Sequence, residues 1–268
     1  MTIVTISRGT YSRGKEVAQK LARALNYECL CREIIIEASK EFNIPEIKLV
    51  RAIHDAPSIL DRFSYGKERY LAFFRAAFLK HLQRDNIIYH GLAGHAFLQT
   101  ISHVIKIRII TDIERRIQEE MKREDISADH ARYVLIKDDT ERHKWSKAVF
   151  DLDISDPKFY DMILYLDTIN VDEAVSIILH LIQLPCFQTT PKSRQHLDDL
   201  SLSAQAEVAL INDFPKAEAD ANKGNVFVNI RGSLIDEKKI SLKVNHILEK
   251  VERINKIHVN VVPYFIKD

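Results

Sequence analysis

No run in this chain is apolar for the roughly 20 residues needed to cross a bilayer, so a transmembrane segment is not expected. Charge of one sign is lacking as well: 39 Lys and Arg stand against 38 Asp and Glu, for a formal net charge of +1. No global field then draws the chain to nucleic acid or acidic lipid, and phosphate binding is left to local basic clusters. Cysteine is scarce, with only Cys29, Cys31 and Cys186. An odd number of thiols, with no visible secretory leader, reads as a reduced, cytoplasmic protein. Cys29 and Cys31 fall short of the roughly four ligands of a closed zinc site. They are read as partly buried thiols at a strand end. No residue is assigned to a metal, and His90, His95 and His103 are given no role.

What is present is an ordinary globular composition, 46% hydrophobic over 268 residues, enough for one large domain or a medium and a small one. Thr2 to Ile6 reads as a short strand and Gly9 to Gly14 as a glycine-containing turn. A helix follows, with Val17, Leu21 and Leu25 on one stripe. Helices are predicted over Arg32 to Glu41, Pro45 to Ala56 and Lys67 to Gln83. Ile87 to His90 and Val104 to Thr111 read as strands. Asp112 caps the next helix, and Ser127 caps another that runs to Phe150. Met162 to Leu166 is a further strand and Val171 to Leu184 a further helix. This alternation predicts an α/β fold with a parallel sheet flanked by helices.

The pattern changes at Pro185. Residues 185–196 lack periodicity and read as a linker. Beyond it a helix over Leu200 to Ile211, a strand at Val226 to Ile230, a helix over Glu237 to Val251 and a strand at Ile257 to Val261 make a small α+β unit. The expected organisation is therefore 1–184, a linker at 185–196, and 197–268.

Strand, glycine loop and helix in that order are what a phosphate loop requires. Gly9, Gly14 and Lys15 spell Gly-x4-Gly-Lys. Backbone N–H groups of such a loop wrap phosphate oxygens, and the following helix favours their charge. A Ser or Thr normally follows the lysine to hold magnesium; here Glu16 stands there. Read as Ile6-Ser7-Arg8, then Ser12, then Gly14-Lys15-Glu16-Val17-Ala18, the segment resembles the opening motif of the cytidylate kinase-like family, where a Glu at this place is expected. The same family has glycine where Tyr11 and Arg13 stand. The resemblance runs over most of 1–184. Cys31-Arg32-Glu33-Ile34-Ile35 is similar to a segment in which the family has Asp at the place of Cys31. Gly91 matches the first glycine of a Gly-Arg-Gly step, with Leu92 at the arginine. Ile113 to Glu124 matches an arginine-bearing helix. Asp139-Thr140-Glu141-Arg142 resembles the lid's Asp-x-x-Arg, and Asp156-Pro157 with Tyr160-Asp161 the segment after the lid.

The resemblance implies a P-loop nucleoside-monophosphate-kinase fold binding ATP, with Mg2+ if the protein is active. It implies a site of Arg8, Gly9, Ser12, Arg13, Gly14, Lys15, Glu16, Arg116, Arg123, Asp139 and Arg142, with Lys15 and Arg142 catalytic. Phosphoryl transfer asks chiefly for positioning and positive charge. Arg8, Arg13 and Lys15 supply it near the loop, and Arg116, Arg123 and Arg142 from above. The competing reading of Arg116 and Arg123 is helical pairing with Glu120 and Glu119. The second unit resembles a BON domain, which implies a binding module for a small-molecule or protein ligand; the competing reading is an appendage for homodimerisation. Two functions follow. One is a kinase acting on a nucleoside monophosphate or another small acceptor. The other is a degenerate nucleotide sensor signalling through the second unit.

Overall fold

The computed structural model describes residues 2–9, 12–31, 33–43, 66–91 and 94–263. The helix expected over 45–56 lies outside them, as do Tyr11, Arg32 and Leu92. The described residues form two compact units. One comprises residues within 2–35 and 84–190; the other comprises 36–43, 66–83 and 191–263.

The first unit is built on a parallel sheet of five strands: β1 (Ile3–Arg8), β2 (Glu28–Leu30), β3 (Ile87–His90), β4 (Val104–Ile110) and β5 (Met162–Tyr165), ordered β2-β3-β1-β4-β5. Its helices are α1 (Gly14–Leu25), the start of α2 (Glu33–Glu41), and, further along the chain, Gly94–Phe97, Ile113–Glu124, Ala128–Phe150 and Val171–Ile182. With α3 (Gly66–Leu82) of the second unit counted in chain order, these four are α4, α5, α6 and α7. Side chains alternate across β1 and β4. Val4, Ile6, Ile105, Ile107 and Ile109 face one layer, where they pack with Val17, Leu21, Val175 and Ile178 of α1 and α7. β4 therefore sends Lys106 and Arg108 to the opposite face.

Caps fix the helix starts. The Asp112 carboxylate accepts from Glu114 N at 2.8 Å, and Ser127 Oγ accepts from His130 N at 3.3 Å. Asn170 and Glu173 close a reciprocal capping box on α7. Trp145, the one tryptophan, is 1% exposed on α6 and meets Phe150 edge-on, with ring centroids 5.5 Å apart.

In the second unit, β6 (Glu218–Asn222), β7 (Asn225–Arg231) and β8 (Lys256–Val262) form a separate three-stranded sheet. β6 and β7 are antiparallel; β7 and β8 are parallel and joined through α9 (Glu237–Leu248). Val226, Val228 and Ile230 pack with Leu202, Ala206 and Leu210 of α8 (Pro191–Leu210) and with Val244 and Leu248. α8 starts inside the segment read as a linker. Pro191 opens it, where a missing N–H costs nothing and the fixed φ suits a first turn. α3 joins this unit through an Arg75–Glu207 ion pair of 2.7 Å and a Gln83–Asp198 hydrogen bond of 2.7 Å.

Among the described residues no helix is long and apolar enough to cross a membrane.

Candidate functional site

The carboxyl ends of the five strands open on one side of the first sheet, the edge at which such sheets bind ligands. β1 ends at Arg8, and the loop to α1 is tied to β4. Gly9 N donates to Ile109 O at 3.4 Å, Ser12 Oγ donates to the same carbonyl at 3.1 Å, and Thr111 Oγ1 donates to Ser12 O at 3.1 Å. Arg13 then takes the left-handed conformation, φ 60°, as the N-cap of α1. A side chain pays about 1–2 kcal/mol there relative to right-handed backbone. The glycine expected from the family pattern is therefore matched by the backbone, though not by the side chain. Arg13 also resolves the oddity of Glu16. Its guanidinium donates to one Glu16 carboxylate oxygen from Nε at 3.0 Å and from a terminal nitrogen at 2.8 Å.

Gly14 is required by close approach. A Cβ there would lie 2.9 Å from the Arg8 Cβ and 3.0 Å from its Cδ. Neither atom is the free tip of a side chain, so Gly14→Ala must push β1 and α1 apart. It should lower stability by about 1–3 kcal/mol, as overpacking does. Thermal denaturation checks this, and an unchanged midpoint would show that Arg8 yields freely.

Arg8, Gly9, Ser12, Arg116, Asp139 and Arg142 line one cavity of about 260 Å3. Arg13, Lys15, Glu16 and Arg123 line a neighbouring hollow that Arg8 shares. The 11 residues predicted for the site thus fall into two adjacent hollows, with Gly14 backing the side chain common to both. Arg116 is paired with Asp139 of α6 at 2.8 Å. Arg123 is held by its own helix instead, through Glu120 at 2.6 Å and Glu124 at 2.7 Å. The Asp139–Arg142 motif lies within the continuous helix α6, and Arg142 donates to Arg8 O at 3.3 Å.

Sequence reasoning missed Arg108, Thr111, His143 and Ser155, which also line the first cavity. Arg108 comes from β4, where the register sets it beside Ser7. Its guanidinium lies 5.6 Å from the Tyr160 ring centre, within cation–π range. Tyr160 is fixed in turn: its hydroxyl donates to Ile154 O at 2.9 Å and lies 3.4 Å from Ser7 Oγ. Asp161 clasps Lys106, accepting from its backbone N at 2.7 Å and pairing with its ammonium at 3.0 Å. The only available signal was a cation in an otherwise apolar strand, near that strand's carboxyl end.

Electrostatics on the β2–β3 side follow from burial first. Burial first, then Arg8 and Lys15, hold the His90 imidazole down to about 4, with Glu33 pulling the other way. His95 is likewise held down to about 4 by burial and then by Arg108 and Lys106. Burial raises the Cys31 thiol, although Arg8, Lys15 and Arg142 pull it the other way.

Magnesium fits these residues poorly. Ser12 is buried with its hydroxyl turned to Ile109, Glu16 is engaged by Arg13, and Asp139 is paired with Arg116. Among the described residues no group of three His, Cys, Asp or Glu side chains is arranged to hold a metal ion.

Residues 3–168 match the model of the "Cytidylate kinase-like family". Among solved structures, an uncharacterized protein from Eubacterium ventriosum is 19% identical, covers 68% of this chain and 98% of its own, and superposes with a TM-score of 0.52. A shikimate kinase from Bacteroides thetaiotaomicron is 10% identical over 68% of this chain and 99% of its own, with a TM-score of 0.42. A dephospho-CoA kinase from Campylobacter jejuni is 15% identical over 68% and 97%, with a TM-score of 0.38. At 19% identity the first of these likenesses is one of fold. No curated protein matches.

Proposed function

Because this chain belongs to the cytidylate kinase-like family, we propose that it binds a nucleoside triphosphate, ATP being the reference ligand, with the phosphates at the carboxyl end of β1. One observation carries the reading: Arg8, Arg108, Arg116 and Arg142 converge on a cavity whose wall includes the loop residues Gly9 and Ser12. Guanidinium forks match phosphate oxygens bidentately and stay charged at any physiological pH. Lys15, exposed in the first turn of α1, is the mobile cation beside them.

The fuller form of the proposal is transfer of the terminal phosphate to a small acceptor, such as a nucleoside monophosphate. Lys15 and Arg142 would then stabilise the migrating group, a task of charge and position. The Arg13–Glu16 clasp and the thiol of Cys31 favour a second reading, in which the nucleotide is bound without transfer and signals through the second unit. We read that unit as a BON-like binding module for a small-molecule or protein ligand; its order of helix, two strands, helix and strand supports this. Three free thiols accord with a cytoplasmic setting, and homodimerisation is the competing use of the second unit.

Titration of the full chain with ATP, then with CMP added, while following heat and ADP formation, separates the readings. ADP released on CMP addition supports transfer. Binding without ADP supports the sensor. No binding at millimolar nucleotide overturns both. Lys15→Ala should weaken triphosphate binding by about ten-fold or more, the worth of a charge-assisted hydrogen bond. Apo thermal stability should not move, since the side chain is exposed. Equal affinity would remove Lys15 from the site.

A further inference from the structure

P-loop proteins normally bring their triphosphate in with magnesium, held by the Ser or Thr after the loop lysine and by an acidic residue at a strand end. In this chain those places are taken by Glu16 and, at the end of β3, by His90. Among the described residues, the oxygens of Ser12, Thr111, Glu16 and Asp139 are already committed. Ser12 Oγ donates into the sheet at Ile109 O, and Thr111 Oγ1 donates to Ser12 O. Glu16 accepts two guanidinium hydrogen bonds from Arg13 and lies 3.8 Å from the Lys20 ammonium. Asp139, the one carboxylate among the described residues lining the cavity, is paired with Arg116 at 2.8 Å. Freeing any of them would strand a charged or buried polar partner.

Among its described lining residues the same cavity has four guanidinium groups and one carboxylate, with Asp153 acting electrostatically on Arg108 from beside the lining. The excess is positive, permanent and mechanically fixed. Arg116 is 9% exposed, Arg142 is tied to Arg8 O at 3.3 Å, and Arg108 lies over the Tyr160 ring. A divalent cation would add its own charge beside these groups and cancel part of the ligand's negative charge.

We infer that this chain takes its polyphosphate ligand as the metal-free anion, with Arg8, Arg108, Arg116 and Arg142 standing where the cation would. The inference rests on the nucleotide reading above and adds to it the ionic form of the ligand. Arg108 is the residue that distinguishes this arrangement, since neither the loop nor the arginine-bearing helix supplies it. Its role is recognition and charge balance, with no covalent step.

Calorimetric titration of the full chain with ATP tests this, once in excess EDTA and once in excess MgCl2 at matched ionic strength. Inorganic triphosphate serves as a second probe, to separate the phosphates from the base. The expected result is a Kd at least ten-fold lower without magnesium for both probes. Equal affinity, or tighter binding with magnesium, overturns the inference and leaves the nucleotide reading standing. No binding under either condition overturns both. Arg108→Gln should bring the ten-fold preference several-fold closer to parity, and Arg108→Lys, which keeps the charge, should retain most of it. A preference unchanged in Arg108→Gln, in a variant whose far-UV circular dichroism matches the parent, also overturns the inference.

Discussion

Trp145→Ala should destabilise the first unit by about 3–5 kcal/mol, the range found for truncating a fully buried large aromatic. The indole is 1% exposed, and its removal opens a hole beside the Phe150 ring, which in turn meets the Phe97 ring edge-on at 5.0 Å. Arg142 lies on the same helix, one turn before Trp145. The loss should therefore appear twice: in the urea midpoint read by far-UV circular dichroism, and as weaker triphosphate binding by the still-folded variant. Trp145→Phe, which fills most of the volume, should recover much of both. A midpoint within 1 kcal/mol of the parent would mean that α6 is held by other contacts.

Acid should act on the fold before it reaches the carboxylates. His90 and His95 are both held near 4 in the folded protein, against an ordinary value of 6.5. The sign follows from linkage: between those values the unfolded chain binds protons that the folded chain refuses, so stability falls as pH falls. Their contribution is complete above about pH 6.5 and drains away toward pH 4, at roughly 1.4 kcal/mol per pH unit for each group. Over the window this amounts to a few kcal/mol for each group. Urea denaturation at pH 7, 6 and 5 measures it. Asn at both positions should flatten the slope; a parent protein equally stable at pH 7 and pH 5 would show that neither imidazole is kept neutral by folding. The same proton uptake bears on the ligand, because a bound polyphosphate beside Arg8 and Lys15 offsets the charges that help to keep His90 neutral.

Much of the first unit is legible in the sequence because its signals are local. The alternating and β-branched runs at 104–110, the caps at Asp112 and Ser127, and the strand-loop-helix order around Gly14 each depend on a few neighbouring residues. The site is legible only in outline. Asp139 and Arg116 are 23 positions apart and meet because α5 and α6 pack together. Arg108 reaches the cavity because β4 pairs with β1 in the register that puts it opposite Ser7. Helical spacing offers Arg116 a glutamate of its own helix, and the tertiary packing gives it a partner from another element. Arg123 shows the reverse case, where local pairing prevails. The start of α8 was hidden because proline and polar residues in a first turn look like a loop.

The strand order has a consequence for how this chain is made. β1 is made before the other four strands of its sheet and is the central one, pairing with Ile87–His90 and Val104–Ile110. At about 5–20 residues per second, the future phosphate loop spends several seconds or more without the strands that give it shape. α3 waits longer for α8, which begins at Pro191, and it carries Phe74, Phe78 and Leu79, all of them buried in the folded chain. Synthesis therefore passes through a stage in which α3 exists without α8, and apolar side chains left uncovered at such a stage are what a holding chaperone shields.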